Sequence, residues 1–316
     1  MEILLFSLRA VAPVVLIGSL GFGMRLGGLF DEDFVGQLSK VCFNVFFPIM
    51  LFNNLYLGLE DFSFNFRLKA FSVLAILFIG GVSWVLFPRI MKDRQIACIN
   101  ICHAIRTNFM IYAFPIIYSM FSDQGTALAA MMLPIAVIVF NVMIVITMSW
   151  FSQDGKGSSP RRLFFEVAKT PVILAVLIGT IFASTGLGVI VPEVVRVALS
   201  SSASIGQPMA LIFLGAQINW ASLRGNLSDV VSMSILRLVI IPAIFVPLAV
   251  LFGFRGAELG ALFILFAGPG GVNTAIQARA YNIAPAYSAQ VVAATTVMSV
   301  VTLFIGISIL RWAALI

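Results

Sequence analysis

The sequence predicts an all-α polytopic membrane protein with ten membrane-spanning helices, and three observations predict it. Of 316 residues, 61% are hydrophobic and 10% charged, where soluble domains carry roughly 45–50% and about 25%. Mean hydropathy is +1.08, which excludes both a soluble globule and a disordered chain. Apolar windows of about 20 residues, the length of one membrane span, recur along the whole chain and leave no room for a soluble domain.

The first span runs from about Leu4 to Met24. It lacks a basic start and a small-residue cleavage site, so it reads as a retained helix rather than a signal peptide. The polar stretch Arg25 to Lys40, with Asp31, Glu32 and Asp33, reads as a connection into the second span, about Leu38 to Gly58. Glu60, Asp61, Arg67 and Lys69 separate this from the third, about Ala70 to Phe87, which ends at Pro88-Arg89. The fourth, about Ile96 to Phe121, holds His103, Arg106, Thr107 and Asn108 inside an otherwise apolar run. The fifth is about Ala127 to Phe151.

A polar stretch from Ser152 to Thr170 then divides the chain into a first five-helix unit (1–151), a linker (152–170) and a second five-helix unit (171–316). The sixth span is about Pro171 to Ile190 and the seventh about Val194 to Ile218. The eighth, about Val230 to Phe252, contains Arg237, Pro242 and Pro247. The ninth, about Ala257 to Ala278, is split by Gly268-Pro269-Gly270-Gly271-Val272-Asn273-Thr274, and the tenth is about Tyr287 to Leu310.

Alternate loops differ in basic charge. If both termini are outside, the inner side holds eleven Lys and Arg, the outer side six, and Arg106 and Arg237 lie within spans. The positive-inside rule therefore places the 152–170 linker in the cytoplasm of a cell-membrane protein. The formal net charge of +6 follows from this bias and gives no reason to expect nucleic acid as a partner. The three cysteines, Cys42, Cys98 and Cys102, lie in apolar stretches and do not form a disulfide framework. Cys98, Cys102 and His103 lack a fourth ligand nearby, so neither a metal nor another cofactor is called for.

An odd number of spans per half forces the halves into opposite orientations, the inverted-repeat plan of many secondary transporters. The fourth helix of each half carries its most polar segment. In the ninth span Pro269 removes an amide donor, while Gly268, Gly270 and Gly271 relax the backbone around it. Interrupted backbone inside a membrane is tolerated only within protein or along a watery cavity. The freed helix N-terminus, with Asn273 and Thr274, suits a carboxylate; the competing reading is a proline kink with glycines for close packing. Arg106 and Arg237 have two readings each, substrate attraction or pairing with backbone carbonyls, and Arg237 could also snorkel to an interface. His103, the single histidine, reads as a packing residue before a proton relay.

The segments His103 to Pro115 (HAIRTNFMIYAFP) and Ala267 to Thr274 (AGPGGVNT), with ten spans and a basic central loop, resemble the auxin efflux carrier family, in its bacterial malate- and malonate-permease-like branch. The resemblance implies two inverted five-helix repeats, with broken helices 4 and 9 crossing at mid-membrane. It also implies a panel domain of helices 1, 2, 6 and 7 and a transport domain of helices 3–5 and 8–10. Asn108 and Asn273 match the positions that meet the substrate carboxylate, and Pro269 the ninth-helix break. The fourth-helix break lacks an adjacent proline, since Pro115 follows seven residues later, and the long hydrophilic loop of plant members is missing.

The sequence is thus read as a secondary transporter of small organic anions and not an enzyme, working by alternating access. Asn108, Asn273, Thr274, Arg106, Gly270 and Gly271 are its candidate substrate-binding residues, and Gly268, Pro269 and Pro115 its candidate helix breaks. A small carboxylate and the lipid bilayer are the expected partners, with a homodimer left open. The alternatives are a sodium-coupled bile-acid-type symporter of related fold, disfavoured because Asp123 and Glu258 lie near span ends, and a membrane sensor of the same ligand.

Overall fold

The computed structural model describes residues 2–57, 66–151, 171–218 and 227–316. The linker 152–170 and the charges Glu60, Asp61 and Arg224 lie outside the described residues. Helix α1 spans Glu2–Leu26. Asp31 starts the next element by accepting the Phe34 amide at 2.7 Å, as an N-cap does. Helix α2 (Glu32–Val41) then passes through a π turn, Cys42–Phe46, into α3 (Phe47–Leu57). The acidic trio read as a connection is therefore the capped start of the helix, because carboxylates are favoured at helix N-termini.

Helix α4 covers Phe66–Ile90 and α5 Arg94–Ile105. Asp93 caps α5 by accepting the Gln95 amide at 2.7 Å and the Ile96 amide at 3.3 Å. Helix α6 runs Phe109–Phe151 with a break at Ser122, whose φ is 54°. The second half comprises α7 (Pro171–Thr185), a 3₁₀ turn (Leu187–Ile190), α8 (Glu193–Ala216) and α9 (Leu227–Ile235). A π turn, Leu236–Ile240, joins α9 to α10 (Ile241–Leu251), and α11 (Gly256–Ala267), α12 (Val272–Ala280) and α13 (Pro285–Trp312) complete it.

Six helical stretches among the described residues are long and apolar enough to cross a bilayer: Glu2–Leu26, Phe66–Ile90, Leu128–Phe151, Glu193–Ala216, Leu227–Leu251 and Pro285–Trp312. The protein is therefore a helical, multi-span membrane protein. The other stretches read as spans are short or interrupted. The second yields only a shorter apolar helix, Asn44–Asn53, among the described residues, the sixth ends as helix at Thr185, and the fourth and ninth each divide in two.

Burial explains how short helices are accommodated. Every residue of α5 from Ala97 to Ile105 is buried, as is every residue of α11 from Leu259 to Ala267. These two helices form the centre, and the long helices around them present Leu16, Leu74, Phe78 and Leu251 outward. Helix α5 packs on α4 and α6, while α11 packs on α6 and α10. Helix α1 packs on α8, and α3 on α7 and α8. In the α1–α8 contact a Cβ at Gly21 would strike the backbone of Ile212, and one at Gly215 the backbone of Gly18. Small residues that let backbones touch are how helices associate where lipid removes the hydrophobic drive.

Candidate functional site

The site is the place where two helix interruptions meet. Helix α5 ends at Ile105, and Arg106 takes an extended conformation (φ −98°, ψ 118°). Helix α6 resumes at Phe109. On the other strand α11 ends at Ala267, Gly268 is extended (φ −65°, ψ 152°), and α12 resumes at Val272. The Asn108 amide donates to the Pro269 carbonyl at 2.8 Å and the Gly271 amide to the Arg106 carbonyl at 3.2 Å. Thr107 and Gly270 thereby form an antiparallel bridge. Backbone groups that leave a helix inside apolar surroundings must find partners; here each interruption supplies the other's.

The glycines serve space more than flexibility. Gly268 and Gly271 have negative φ, which any residue adopts. A Cβ at Gly268 would overlap the Thr107 hydroxyl. At Gly270 it would lie 2.7 Å from His103 Nδ1, and at Gly271 2.9 Å from Arg106 Cγ. The Gly270 amide reaches Thr295 Oγ1 on α13 at 3.1 Å, and Thr107 Oγ1 donates to the Pro269 carbonyl at 3.3 Å.

Pro115 does not sit at an interruption: it lies within α6, and the break falls at residues 106–108. No proline is needed there, because the Asn108 amide is drawn out of the helix by Pro269.

Two arginines flank the bridge, and among the described residues no carboxylate is buried. The Arg106 side chain is 6% exposed and donates to Asn141 Oδ1 on α6 at 2.7 Å, a neutral partner. Arg237, 1% exposed, lies in the π turn between α9 and α10. Its Nε donates to the Gly268 carbonyl at 3.1 Å, Nη1 to Ala104 at 2.9 Å and Nη2 to Leu265 at 3.0 Å. Of the three readings of Arg237, the geometry therefore has carbonyl pairing.

The polar atoms around the bridge divide into used and unused. His103 Nε2 pairs with Ser288 Oγ at 2.9 Å, and Tyr287 donates to Asn100 Oδ1 at 2.7 Å. Asn108 Nδ2, Thr274 Oγ1 and His103 Nδ1 are buried without a partner. Buried polar groups are normally satisfied, and these three lie on the segments that form or adjoin the bridge. Asn273 is half-buried in the first turn of α12, and Thr274 beside it is fully buried. Cys98 and Cys102 are buried on α5.

Helices α6 and α12 both start at the bridge, which Arg106 itself adjoins, and helix N-termini carry partial positive charge. Asn141, Ser288 and Thr295 were not singled out from the sequence. Asn141, a lone amide in the apolar run VFNVM, is the one that polarity alone marks.

Comparison with known proteins adds the family. The family model described as membrane transport protein matches residues 6–163 and 158–307. An uncharacterized transporter of Methanothermobacter thermautotrophicus is 22% identical over 298 residues, covering 94% of this chain and 96% of that protein.

Proposed function

The chain belongs to the membrane transport protein family, and from that premise we propose that it is a secondary transporter of small organic anions. It is a polytopic membrane transporter rather than an enzyme, as its family is. The observation that carries the anion reading is the unpartnered side-chain Nδ2 of Asn108 and hydroxyl of Thr274 near the buried cation Arg106. Two helix N-termini and one guanidinium favour negative charge, and no buried carboxylate among the described residues opposes it.

In this reading a carboxylate docks at the bridge. Asn108, Asn273 and Thr274 donate hydrogen bonds, and Arg106 supplies the charge. Gly270 and Gly271 make room for His103 and for the stem of Arg106 against the bridge, and Gly268 and Pro269 hold the break open. The chain is two inverted repeats of five spans, 1–151 and 171–316, with the bridge at mid-membrane and the linker 152–170 cytoplasmic. The first, second, sixth and seventh spans form a static panel, supported by the packing of α1 on α8 and of α3 on α7 and α8. The remaining spans carry the site past it, exposing it to each side in turn.

Uptake of radiolabelled mono- and dicarboxylates into proteoliposomes holding the purified protein tests this. Saturable accumulation of at least one acid is expected. Binding without flux would make the protein a sensor, and neither binding nor flux of any acid would remove the anion reading.

A further inference from the structure

A crossing of two interrupted helices brings together four helix ends of opposite character. The N-termini of α6 and α12 are electropositive, and the C-termini of α5 and α11 are electronegative, with carbonyls that have lost their helical partners. In transporters with interrupted helices, such carbonyls and C-terminal ends are the usual ligands of a coupling cation. Here the corresponding oxygens are already taken.

The carbonyl of Leu265 would be served in a continuous helix by the amide of residue 269, but residue 269 is proline and has none. The carbonyl of Ala104 would be served by the Asn108 amide, but that amide is given to Pro269. Arg237 supplies both missing donors, through Nη2 at 3.0 Å and Nη1 at 2.9 Å. Its Nε reaches the Gly268 carbonyl, inside the second interruption, at 3.1 Å. One guanidinium thus binds the C-terminal ends of both half-helices, at 1% exposure.

We propose that Arg237 is a tethered cation that permanently fills the carbonyl cluster at the crossing, where a free monovalent cation would otherwise bind. The charge that in an ion-coupled carrier arrives with each cycle is covalently fixed in this chain. The electronegative ends of α5 and α11 are neutralised, so the field left at the bridge is that of the N-termini and Arg106. Anion binding, on the reading given above, then needs no sodium or potassium. Arg237 is a positioning residue: it touches backbone, not ligand.

The backbone at the bridge also depends on this cation. Without it, three carbonyl oxygens in apolar surroundings lose their donor, and an added cation of suitable size becomes their replacement. A merely space-filling side chain has no such replacement.

The test uses cations alone, so that its failure is separable from failure of the anion reading. Melting of the purified protein is followed in sodium, potassium and choline chloride at equal ionic strength, and with low concentrations of guanidinium added. Wild type is expected to melt at the same temperature in all of them. R237A is expected to melt lower in choline and to regain most of the loss with sodium or guanidinium, while R237K stays close to wild type and indifferent to the salt. Specific stabilisation of wild type by sodium, or equal melting of R237A in every salt, would overturn the proposal. Should R237A not survive purification, R237K and R237M make the comparison: lysine keeps the charge and methionine only the length, and equal melting of the two would overturn it as well.

Discussion

The amide of Asn108 donates to the carbonyl of Pro269 at 2.8 Å, so the two interruptions are one structural unit: neither can close into a continuous helix without stripping the other of a partner. The bonding is reciprocal, with the Gly271 amide returning to the Arg106 carbonyl. A perturbation on one side of the bridge is therefore expected to be felt on the other.

Thr274 separates ligand binding from folding. Its hydroxyl is buried with no hydrogen-bond partner, and leaving such a group unsatisfied costs about 1–3 kcal/mol. T274V keeps the shape and removes the hydroxyl. Thermal unfolding should show a melting temperature equal to or above wild type, while carboxylate affinity falls several-fold; a less stable variant with intact affinity would contradict this assignment.

Arg106 should show the same opposition more strongly. Its charge is buried against the neutral amide of Asn141, so its desolvation cost, several kcal/mol for a buried ion, is not offset by an opposite charge in that bond. R106M is therefore expected to be at least as stable as wild type and to bind carboxylates roughly tenfold or more weakly, a loss of about 1.4 kcal/mol or more. Collapse of the fold in R106M would show that the side chain serves structure alone.

Gly270 and Gly271 differ in what a methyl group would meet. At Gly270 it meets the imidazole of His103, held by Ser288. At Gly271 it meets the aliphatic stem of Arg106, which can shift. G270A should destabilise by about 1–3 kcal/mol, the range of overpacking costs, and G271A by less, as measured by chemical or thermal unfolding. The reverse order would mean that the His103 ring is free to move.

The orientation proposal rests on the excess of Lys and Arg on alternate loops, eleven against six, and labelling tests it. Cys42, Cys98 and Cys102 are buried, so background reaction with a membrane-impermeant maleimide should be low. A cysteine introduced between residues 152 and 170 should react only from the cytoplasmic side. Labelling from the opposite side in intact cells would invert the topology.

Much of this was legible in the sequence, and what was not has a common physical cause. The ninth-span interruption is visible because Pro269 and three glycines write it locally. The fourth-span interruption carries no proline at Arg106-Thr107-Asn108. Its cause is tertiary, since the Asn108 amide leaves the helix for a carbonyl far along the chain. For the same reason the sequence leaves Arg237 open between ligand, backbone and interface: its three acceptors belong to α5, α11 and the residue after α11, and no local pattern joins them. The start of α2 was displaced because Asp31, Glu32 and Asp33 look like a loop by charge and act as a helix start by capping. Of the partners, Asn141 stands out as a lone amide in an apolar run, whereas Ser288 and Thr295 are small hydroxyl residues with polar neighbours, Gln290 and Thr296, and their role shows only once the helices are placed.

The central claim is that an anion binds where the two interruptions meet, and a binding titration tests it most directly. The acid with the highest uptake in the proteoliposome screen would be titrated into wild type and into a variant carrying both N108A and N273A. The side chain of Asn108 makes no hydrogen bond through Nδ2, so the variant should remain folded. Each lost bond to a charged group is worth about 1.5–3 kcal/mol. Saturable binding by wild type and none by the variant over the same range is the predicted result; equal affinity in the two proteins would contradict the account.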